Sequence, residues 1–218
     1  IILAINGLAG IFLGTAFFYI AITEIPLANA LSLLLVAPII VVVLSSFILK
    51  ERITLLKIIC VLIGFVGTLL VIQPGFTDFN LYSLYALISG LFYAMYLIYT
   101  RKVNFSSDSI VTLSYSTIPG AIIMTLLIPF YWESIPNLNQ IMIMGCIGPV
   151  VIVSHFFFIK AYQYAEASTL APIHYFEIVS NVLISVLFFK DIPTIAVSIG
   201  IMCIISSGVL ISLNQNSN

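Results

Sequence analysis

Glu177 is the residue whose type and position point most directly to chemistry. It lies near the middle of an apolar stretch that runs from Ala167 to Phe189. An acid at the centre of a membrane span costs about 2.5–3.5 kcal/mol on insertion scales, so it is expected to face the interior of a helix bundle. His174, Glu177 and Asn181 follow at i, i+3 and i+7, which places them on one helical face. Glu177 either binds substrate or couples protons, or it is a neutral structural acid that ties this span to a neighbour.

A stripe of aromatic and hydroxyl residues follows one face of the stretch from 81 to 100. Its members recur at intervals of three and four residues, and they are Tyr82, Tyr85, Ser89, Phe92, Tyr96 and Tyr99. That spacing indicates one face of a helix. Because tyrosine hydroxyls are unfavourable in lipid without partners, the central members are expected to face a cavity or another helix. For Ser89, Phe92 and Tyr96, cavity lining and buried packing both remain open, while the outer tyrosines suit interfacial aromatic belts.

His155, Phe158 and Tyr162 share a further helical face, at i, i+3 and i+7. A lone membrane histidine more often forms a hydrogen bond between helices than binds a ligand, and both interpretations of His155 stay open. The two histidines are on separate apolar stretches, and the three cysteines lie in apolar runs without metal-ligand spacing. The sequence therefore predicts no catalytic residue, no metal site and no cofactor.

The composition indicates the environment in which these residues act. Only 15 of the 218 residues are charged, seven Lys and Arg plus eight Asp and Glu, and 62% are hydrophobic. The mean hydropathy is +1.24. A soluble domain carries about 25% charged residues, so this surface cannot face water. The composition excludes an ordinary soluble domain, a disordered chain and a nucleic-acid binder, and it indicates an integral membrane protein.

Eight apolar stretches approach or exceed the roughly 20 residues that a bilayer-spanning helix needs. These spans, A to H in chain order, are Ile1–Thr23, Pro26–Leu49, Leu55–Gln73, Leu81–Thr100, Ser109–Tyr131, Gln140–Gln163, Ala167–Phe189 and Pro193–Leu213. Pro38 is expected to kink span B and free a backbone carbonyl, and Pro172 is a candidate for a kink in span G. The predicted fold class is an all-α, polytopic membrane helix bundle.

Basic residues concentrate in alternate breaks between the spans. Six lie at or near the B–C, D–E and F–G breaks, namely Lys50, Arg52, Lys57, Arg101, Lys102 and Lys160. The other breaks hold only Lys190 among basic residues. Because loops rich in Lys and Arg stay on the cytoplasmic side, these three breaks and the C-terminus are expected to be cytoplasmic.

A shift of 140 residues lays spans A–C onto spans F–H. The stronger part of the match is Lys50-Glu51-Arg52-Ile53-Thr54 against Lys190-Asp191-Ile192-Pro193-Thr194. The shift covers five spans, an odd number, so the two units must insert with opposite orientation, as in many secondary transporters. We expect 1–75 to be the last three spans of one unit, 76–213 a complete five-span unit and 214–218 a polar cytoplasmic tail. Two further spans are expected to precede the chain, which makes ten.

Diffuse motifs recur along both units. They are Phe18-Tyr19-Ile20-Ala21, Pro26-Leu27-Ala28-Asn29-Ala30, Leu49-Lys50-Glu51-Arg52-Ile53-Thr54, Ala161-Tyr162-Gln163-Tyr164-Ala165-Glu166-Ala167-Ser168, and Leu170-Ala171-Pro172 with Tyr175 and Glu177. In combination they resemble the EamA-type permeases of the drug/metabolite transporter superfamily, which have ten helices in two inverted five-helix units. The chain departs from that family at Lys50 and Lys190, where members commonly have Gly, and at Ile178, where many have Pro.

The resemblance implies a central cavity lined by the third and fourth helices of each unit, here spans A, B, F and G. It adds lining candidates on both sides of that cavity. The full set of candidates is Glu177, His174, Tyr175, Asn181, His155, Phe158, Ser89, Phe92, Tyr96, Phe17, Phe18, Asn29 and Ser32.

The function that the resemblance implies is a permease in the bacterial cytoplasmic membrane. Such a secondary transporter moves a small organic metabolite by alternating access. The aromatic and acidic lining suits an amino acid, an amine or an adenosyl compound, and the second unit looks like that of S-adenosylmethionine carriers. The expected partners are this solute and the lipid bilayer, and a homodimer is left open. A membrane-embedded hydrolase or protease and a non-transporting membrane scaffold remain alternatives.

Overall fold

The fold is a bundle of membrane-spanning helices. The computed structural model describes residues 7–75, 80–104, 108–130, 137–190 and 192–215, and within these ranges it contains helices and no strand. Seven described helices are long and apolar enough to cross a membrane: Leu27–Ile48, Leu55–Ile72, Leu81–Asn104, Ser109–Phe130, Leu138–Tyr164, Ala167–Phe189 and Ile195–Asn214. They correspond to spans B to H, and the predicted all-α, polytopic bundle is confirmed.

Span A, the eighth predicted span, is helical over the part that the structure describes. It consists of a π-helical segment, Gly7–Leu13, followed by an α-helix, Gly14–Ala21. Its predicted beginning, residues 1–6, lies outside the described residues. Span A packs along span D. A Cβ atom at Gly10 would lie 2.3 Å from Cβ of Tyr96, so glycine is required for this close approach.

Spans B and G are both interrupted helices. Span B consists of Leu27–Leu34 and Ala37–Ile48, with Pro38 in the first turn of the second segment. Span G consists of Ala167–Leu170, a 3-10 segment Ala171–Tyr175 with Pro172, the α-helix Phe176–Ile184 and a π-helical end Ser185–Phe189. The Tyr175 hydroxyl donates a hydrogen bond of 3.2 Å to the carbonyl of Leu35, at the break in span B. Both breaks therefore meet at one point of the bundle.

The turns that follow spans B and G share an unusual backbone conformation. Lys50 has φ 57° and Lys190 has φ 58°, both in the left-handed region that favours glycine. These are the two positions, 140 residues apart, at which the resembled family commonly has Gly. Thr54 then begins span C, where its hydroxyl accepts a hydrogen bond from the Lys57 amide.

The buried core lies between spans B, C, D, F and G, and its large side chains include Val41, Leu97, Tyr162 and Tyr175. In the most apolar 18-residue windows, 44% of span D is buried but none of span F and 11% of span E. Spans E and F thus present apolar side chains outward over most of their length. The polar interior that positions a site is built by the other spans together with the C-terminal half of span F.

Candidate functional site

A cavity of about 480 Å³ lies where spans A, B and D face spans F and G. Volumes of this size are typical of small-molecule sites. Its wall combines aromatic rings, small residues and a single carboxylate. The lining residues are Gly10, Gly14, Thr15, Phe18, Tyr19, Leu31, Leu34, Leu35, Ser89, Tyr93, Tyr96, Ser154, His155, Phe158, Glu177 and Ile178.

A second cavity of about 300 Å³ adjoins the first. The two share Tyr93, Phe158 and Glu177 as lining residues. The second cavity continues along spans F and G toward the break that joins them, and its other lining residues are Ala161, Tyr162, Leu170, Ile173 and His174. Glu177 therefore stands at the junction of two cavities rather than at the edge of one.

Glu177 owes its position to the interruption of span G. It lies in the first turn of Phe176–Ile184, directly after the 3-10 segment, and its side chain is exposed to the cavities. In the part of the chain that the structure describes, no hydrogen bond or ion pair engages its carboxylate. It is also the only carboxylate among the residues that line the two cavities. The arrangement leaves one unpaired acid in an aromatic chamber.

Two tyrosine–histidine pairs and Phe158 form the aromatic wall between the cavities. The Tyr96 hydroxyl lies 2.7 Å from Nε2 of His155, and the Tyr162 hydroxyl lies 2.7 Å from Nε2 of His174. The Phe158 ring is nearly parallel to those of Tyr96 and His155, at interplanar angles of 3° and 14°. On its other side, the His174 ring meets it edge-on with centroids 5.4 Å apart. These contacts hold Phe158 between spans D, F and G.

The structure brings seven of the predicted site residues into the walls of the two cavities. Those of the larger cavity are Phe18, Ser89, Tyr96, His155, Phe158 and Glu177, and His174 lines the smaller one. Ser89 also donates a hydrogen bond of 2.7 Å to the Gly14 carbonyl, which fixes span D against span A.

Three predicted residues use their polar groups within the fold. The Asn29 side chain pairs with the backbone of Gly75, through hydrogen bonds of 3.0 Å and 2.9 Å. The hydroxyl of Ser32 donates to the Ala28 carbonyl within the same helix. Tyr175 is fully buried and bonds Leu35 across the bundle. These side chains position spans B and G rather than line the cavities.

The remaining three predicted residues lie beside the cavities or away from them. Phe17 stacks on Phe92, with ring centroids 5.7 Å apart and an interplanar angle of 9°, so the two join spans A and D. Asn181 is one turn beyond Glu177 on the same face, and it is exposed. The face that carries His174 and Glu177 therefore extends further along span G than the cavities do.

Several lining residues were outside the predicted set. Tyr93, which borders both cavities, flanks the stripe on span D and is displaced from it by one residue. Thr15, Tyr19 and Ser154 also line the larger cavity. The glycines of span A carry no polar signal, yet Gly10 and Gly14 both line the larger cavity.

One known protein family matches nearly the whole chain. The model of the EamA-like transporter family matches residues 1–73 and 80–213. This chain belongs to the EamA-like transporter family. Membership identifies it as a membrane transporter and not an enzyme, which sets aside the hydrolase that the sequence left open.

Two relatives of this chain carry transporter names that differ in the solute. The "S-adenosylmethionine uptake transporter" of Rickettsia conorii (strain ATCC VR-613 / Malish 7) is 27% identical over 207 residues, which cover 94% of this chain and 69% of that protein. The "Riboflavin transporter" of Vibrio cholerae serotype O1 (strain ATCC 39315 / El Tor Inaba N16961) is 26% identical over 190 residues, with coverage of 86% and 63%.

A solved crystal structure shares the EamA-like fold. It superposes with a TM-score of 0.83 at 21% sequence identity, and the match covers 96% of this chain and 76% of the other. At this identity the likeness concerns the fold alone, and it agrees with the helical bundle described above.

Proposed function

We propose that this transporter moves a small organic metabolite by alternating access, with the two adjoining cavities as its binding site. The observation that carries the proposal is the unpaired Glu177 carboxylate in the aromatic wall that both cavities share. An ionisable group within a membrane span is unfavourable unless it has a partner or a function. Because the described residues offer Glu177 no partner, we propose that the solute supplies one. The cavity is lined by spans A and B of the first proposed unit and by spans D, F and G of the second, as movement between two units requires.

The proposed solute carries a positive charge and a planar ring. Glu177 supplies the negative charge, and Tyr93, Tyr96 and Phe158 supply ring faces that attract both cations and flat heterocycles. An adenosyl compound, an aromatic amine or an amino acid has this chemistry. The relatives named as an S-adenosylmethionine uptake transporter and a riboflavin transporter, two solutes with planar heterocycles, support the planar ring.

The proposed arrangement has inverted units, 1–75 and 76–213, in the cytoplasmic membrane. Three observations support the inversion: the matched left-handed turns at Lys50 and Lys190, the interruptions of spans B and G, and the odd number of spans between equivalent positions. The B–C, D–E and F–G breaks lie at one end of the bundle, hereafter the basic end. The positive charges favour its placement, together with the C-terminus, on the cytoplasmic side.

Uptake into proteoliposomes that contain the full protein tests this function. A panel of labelled solutes would include S-adenosylmethionine, an aromatic amine, an aromatic amino acid and an uncharged sugar. We expect saturable uptake of a cationic planar solute. Glu177→Gln should reduce it at least tenfold, because a hydrogen bond to a charged group contributes about 1.5–3 kcal/mol.

The matched control is Glu24→Gln, which makes the same change at an exposed acid between spans A and B. It should leave uptake unchanged. Glu177→Gln protein that transports every solute at the wild-type rate would assign Glu177 to structure alone, and the site proposed here would be wrong.

A further inference from the structure

Four charged side chains form a cluster at the basic end of the bundle: Glu51, Lys57, Arg101 and Glu166. They come from the B–C break, the start of span C, the end of span D and the F–G break. Three of the four are withdrawn from the surface, with side-chain exposures of 7% for Glu51, 9% for Lys57 and 10% for Arg101. Charges buried to this degree require partners, and here they take them from the far part of the chain.

Glu51 binds the beginning of span G. Its carboxylate accepts hydrogen bonds of 2.8 Å and 2.9 Å from the backbone amides of Ala167 and Ser168. The first amides of a helix have no partner within it, and they carry the positive end of the helix dipole. A buried carboxylate that accepts both amides therefore fixes the start of span G to the end of span B.

Lys57, at the start of span C, also binds the region where span G begins. Its ammonium group has three donors. It uses them on the Arg52 carbonyl at 3.1 Å, on the Ser168 hydroxyl at 2.8 Å and on the carboxylate of Glu166. Two of these partners lie at the F–G break, more than 100 residues away in sequence.

Arg101 holds the end of span F. One guanidinium nitrogen donates hydrogen bonds of 2.6 Å and 3.0 Å to the carbonyls of Tyr162 and Gln163. Its Nε atom lies 4.0 Å from the Glu51 carboxylate. A cation thus meets the negative end of span F while an anion meets the positive end of span G, and both contacts complement the helix dipoles.

The cluster lies at the end of the bundle toward which the smaller cavity extends. Tyr162 and Leu170 line that cavity, and each lies within one helical turn of a residue that the cluster binds. We propose that Glu51, Lys57, Arg101 and Glu166 form a latch that keeps the cavities closed at the basic end, and that release of the start of span G from Glu51 opens them to that side. The inference rests on the proposed transport function, because it assigns a conformational step to that site.

The sequence places the Lys57–Glu166 ion pair at one end only, although Glu51 keeps an acidic counterpart in Asp191. Under the 140-residue shift, Lys57 corresponds to Val197 and Glu166 to Pro26. The opposite end therefore has no equivalent of the Lys57–Glu166 ion pair, and closure there must depend on other contacts. This asymmetry predicts that a transporter without substrate rests with its basic end closed.

Cysteine reactivity in the full protein tests the latch without any solute. Ser154, which lines the larger cavity, is replaced by Cys in a background with Cys60, Cys146 and Cys203 changed to Ala. A charged, membrane-impermeant methanethiosulfonate is then applied from the basic end or from the opposite end, in membrane vesicles of either orientation. With the latch intact, we expect slow reaction from the basic end. Glu51→Gln should raise that rate at least tenfold and lower the rate from the opposite end.

Glu166→Gln is the milder variant, since this side chain is 44% exposed and its loss spares the buried core. It should raise the rate from the basic end about threefold, and Glu24→Gln, which removes an exposed acid elsewhere, should not change it. Thermal unfolding in detergent is measured alongside, and if Glu51→Gln has unfolded, Glu166→Gln decides the test. Unchanged rates in the folded variants, or an equal rise in Glu24→Gln, would overturn the latch. Failure of every solute to be transported while these rates change would contradict the proposed function and leave the latch standing.

Discussion

Glu51 and Glu177 are two glutamates of one chain in opposite surroundings. Glu51 is nearly buried, accepts two backbone amides and lies beside Arg101. Glu177 lines both cavities, and the described residues offer its carboxylate no hydrogen bond or ion pair. An acid whose hydrogen-bonding capacity is used by the protein stabilises the fold, whereas an unpaired acid in a cavity is available to a ligand. The two glutamates therefore mark two regions of the bundle, one that stabilises the fold and one that is available to bind a ligand.

The largest effect is expected when each of the two carboxylates is removed in turn. Glu51→Ala should lower the free energy of unfolding by about 3–5 kcal/mol, because it leaves two helix amides buried without their acceptor and removes the carboxylate beside the buried Arg101 guanidinium. Glu177→Ala should change it by less than about 1 kcal/mol, since no partner is lost. Unfolding of the purified protein in mixed micelles, titrated with a denaturing detergent, measures both. Equal destabilisation by the two variants would remove the distinction.

Tyr175→Phe tests the point where the interrupted spans meet, between the two regions. We expect a loss of about 1–2 kcal/mol of unfolding free energy, because the Leu35 carbonyl stays buried without its donor. The same titration measures it. Tyr82→Phe is the control, because this half-buried tyrosine lies at the beginning of span D, and it should have little effect. A Tyr175 variant as stable as the wild type would mean that the hydroxyl does not contribute to joining the spans.

Lys50→Gly sharpens the comparison at the turn that presents Glu51. Glycine adopts the left-handed conformation without steric strain, so the variant should be more stable by about 0.5–1 kcal/mol, and Lys190→Gly should behave alike. Lys102→Gly is the matched control, because the same change within the helix of span D should destabilise by about 0.5–1 kcal/mol. The thermal unfolding midpoints of Lys50→Gly and Lys190→Gly should therefore rise, and that of Lys102→Gly should fall. A loss of stability in Lys50→Gly would contradict the strain at this turn.

Phe158→Leu probes the binding region through its affinity for the solute. It keeps an apolar side chain but removes the ring that lies between the two tyrosine–histidine pairs. An aromatic contact contributes about 0.5–1.5 kcal/mol, so the KM for a planar solute should rise roughly two- to tenfold. The neighbouring Phe157 is 63% exposed, and Phe157→Leu should leave KM unchanged. Equal KM values for both variants would place the solute elsewhere.

The sequence predicts the spans and much of the cavity wall because hydropathy and helical period are local properties. Ser89 and Tyr96, and likewise His155 and Phe158, share faces that the period identifies, and both faces line the larger cavity. The period does not identify the partner of a side chain, however. Phe92 belongs to the same stripe as Tyr96, yet it stacks on Phe17 of span A.

Contacts between distant parts of the chain are what the sequence does not predict. The family resemblance places Asn29 on a cavity-facing span, but its amide pairs with a backbone turn 46 residues away. Lys57 and Arg101 indicate orientation when they are counted as loop charges. In the structure they lie at the ends of spans and bind the F–G break. A count of charges predicts the side of the membrane, and only the fold gives their partners.

The hydrogen bond between Tyr175 and Leu35 also has a consequence for how such a chain could arise. The two residues are 140 positions apart, which is the offset that relates the proposed units. Equivalent positions that touch lie on the axis relating the two units. In a dimer of two identical chains inserted in opposite directions, each residue on that axis would meet a copy of itself, as tyrosine against tyrosine or leucine against leucine. A tyrosine that donates and a leucine whose carbonyl accepts can occupy equivalent positions here because the two proposed units differ in sequence.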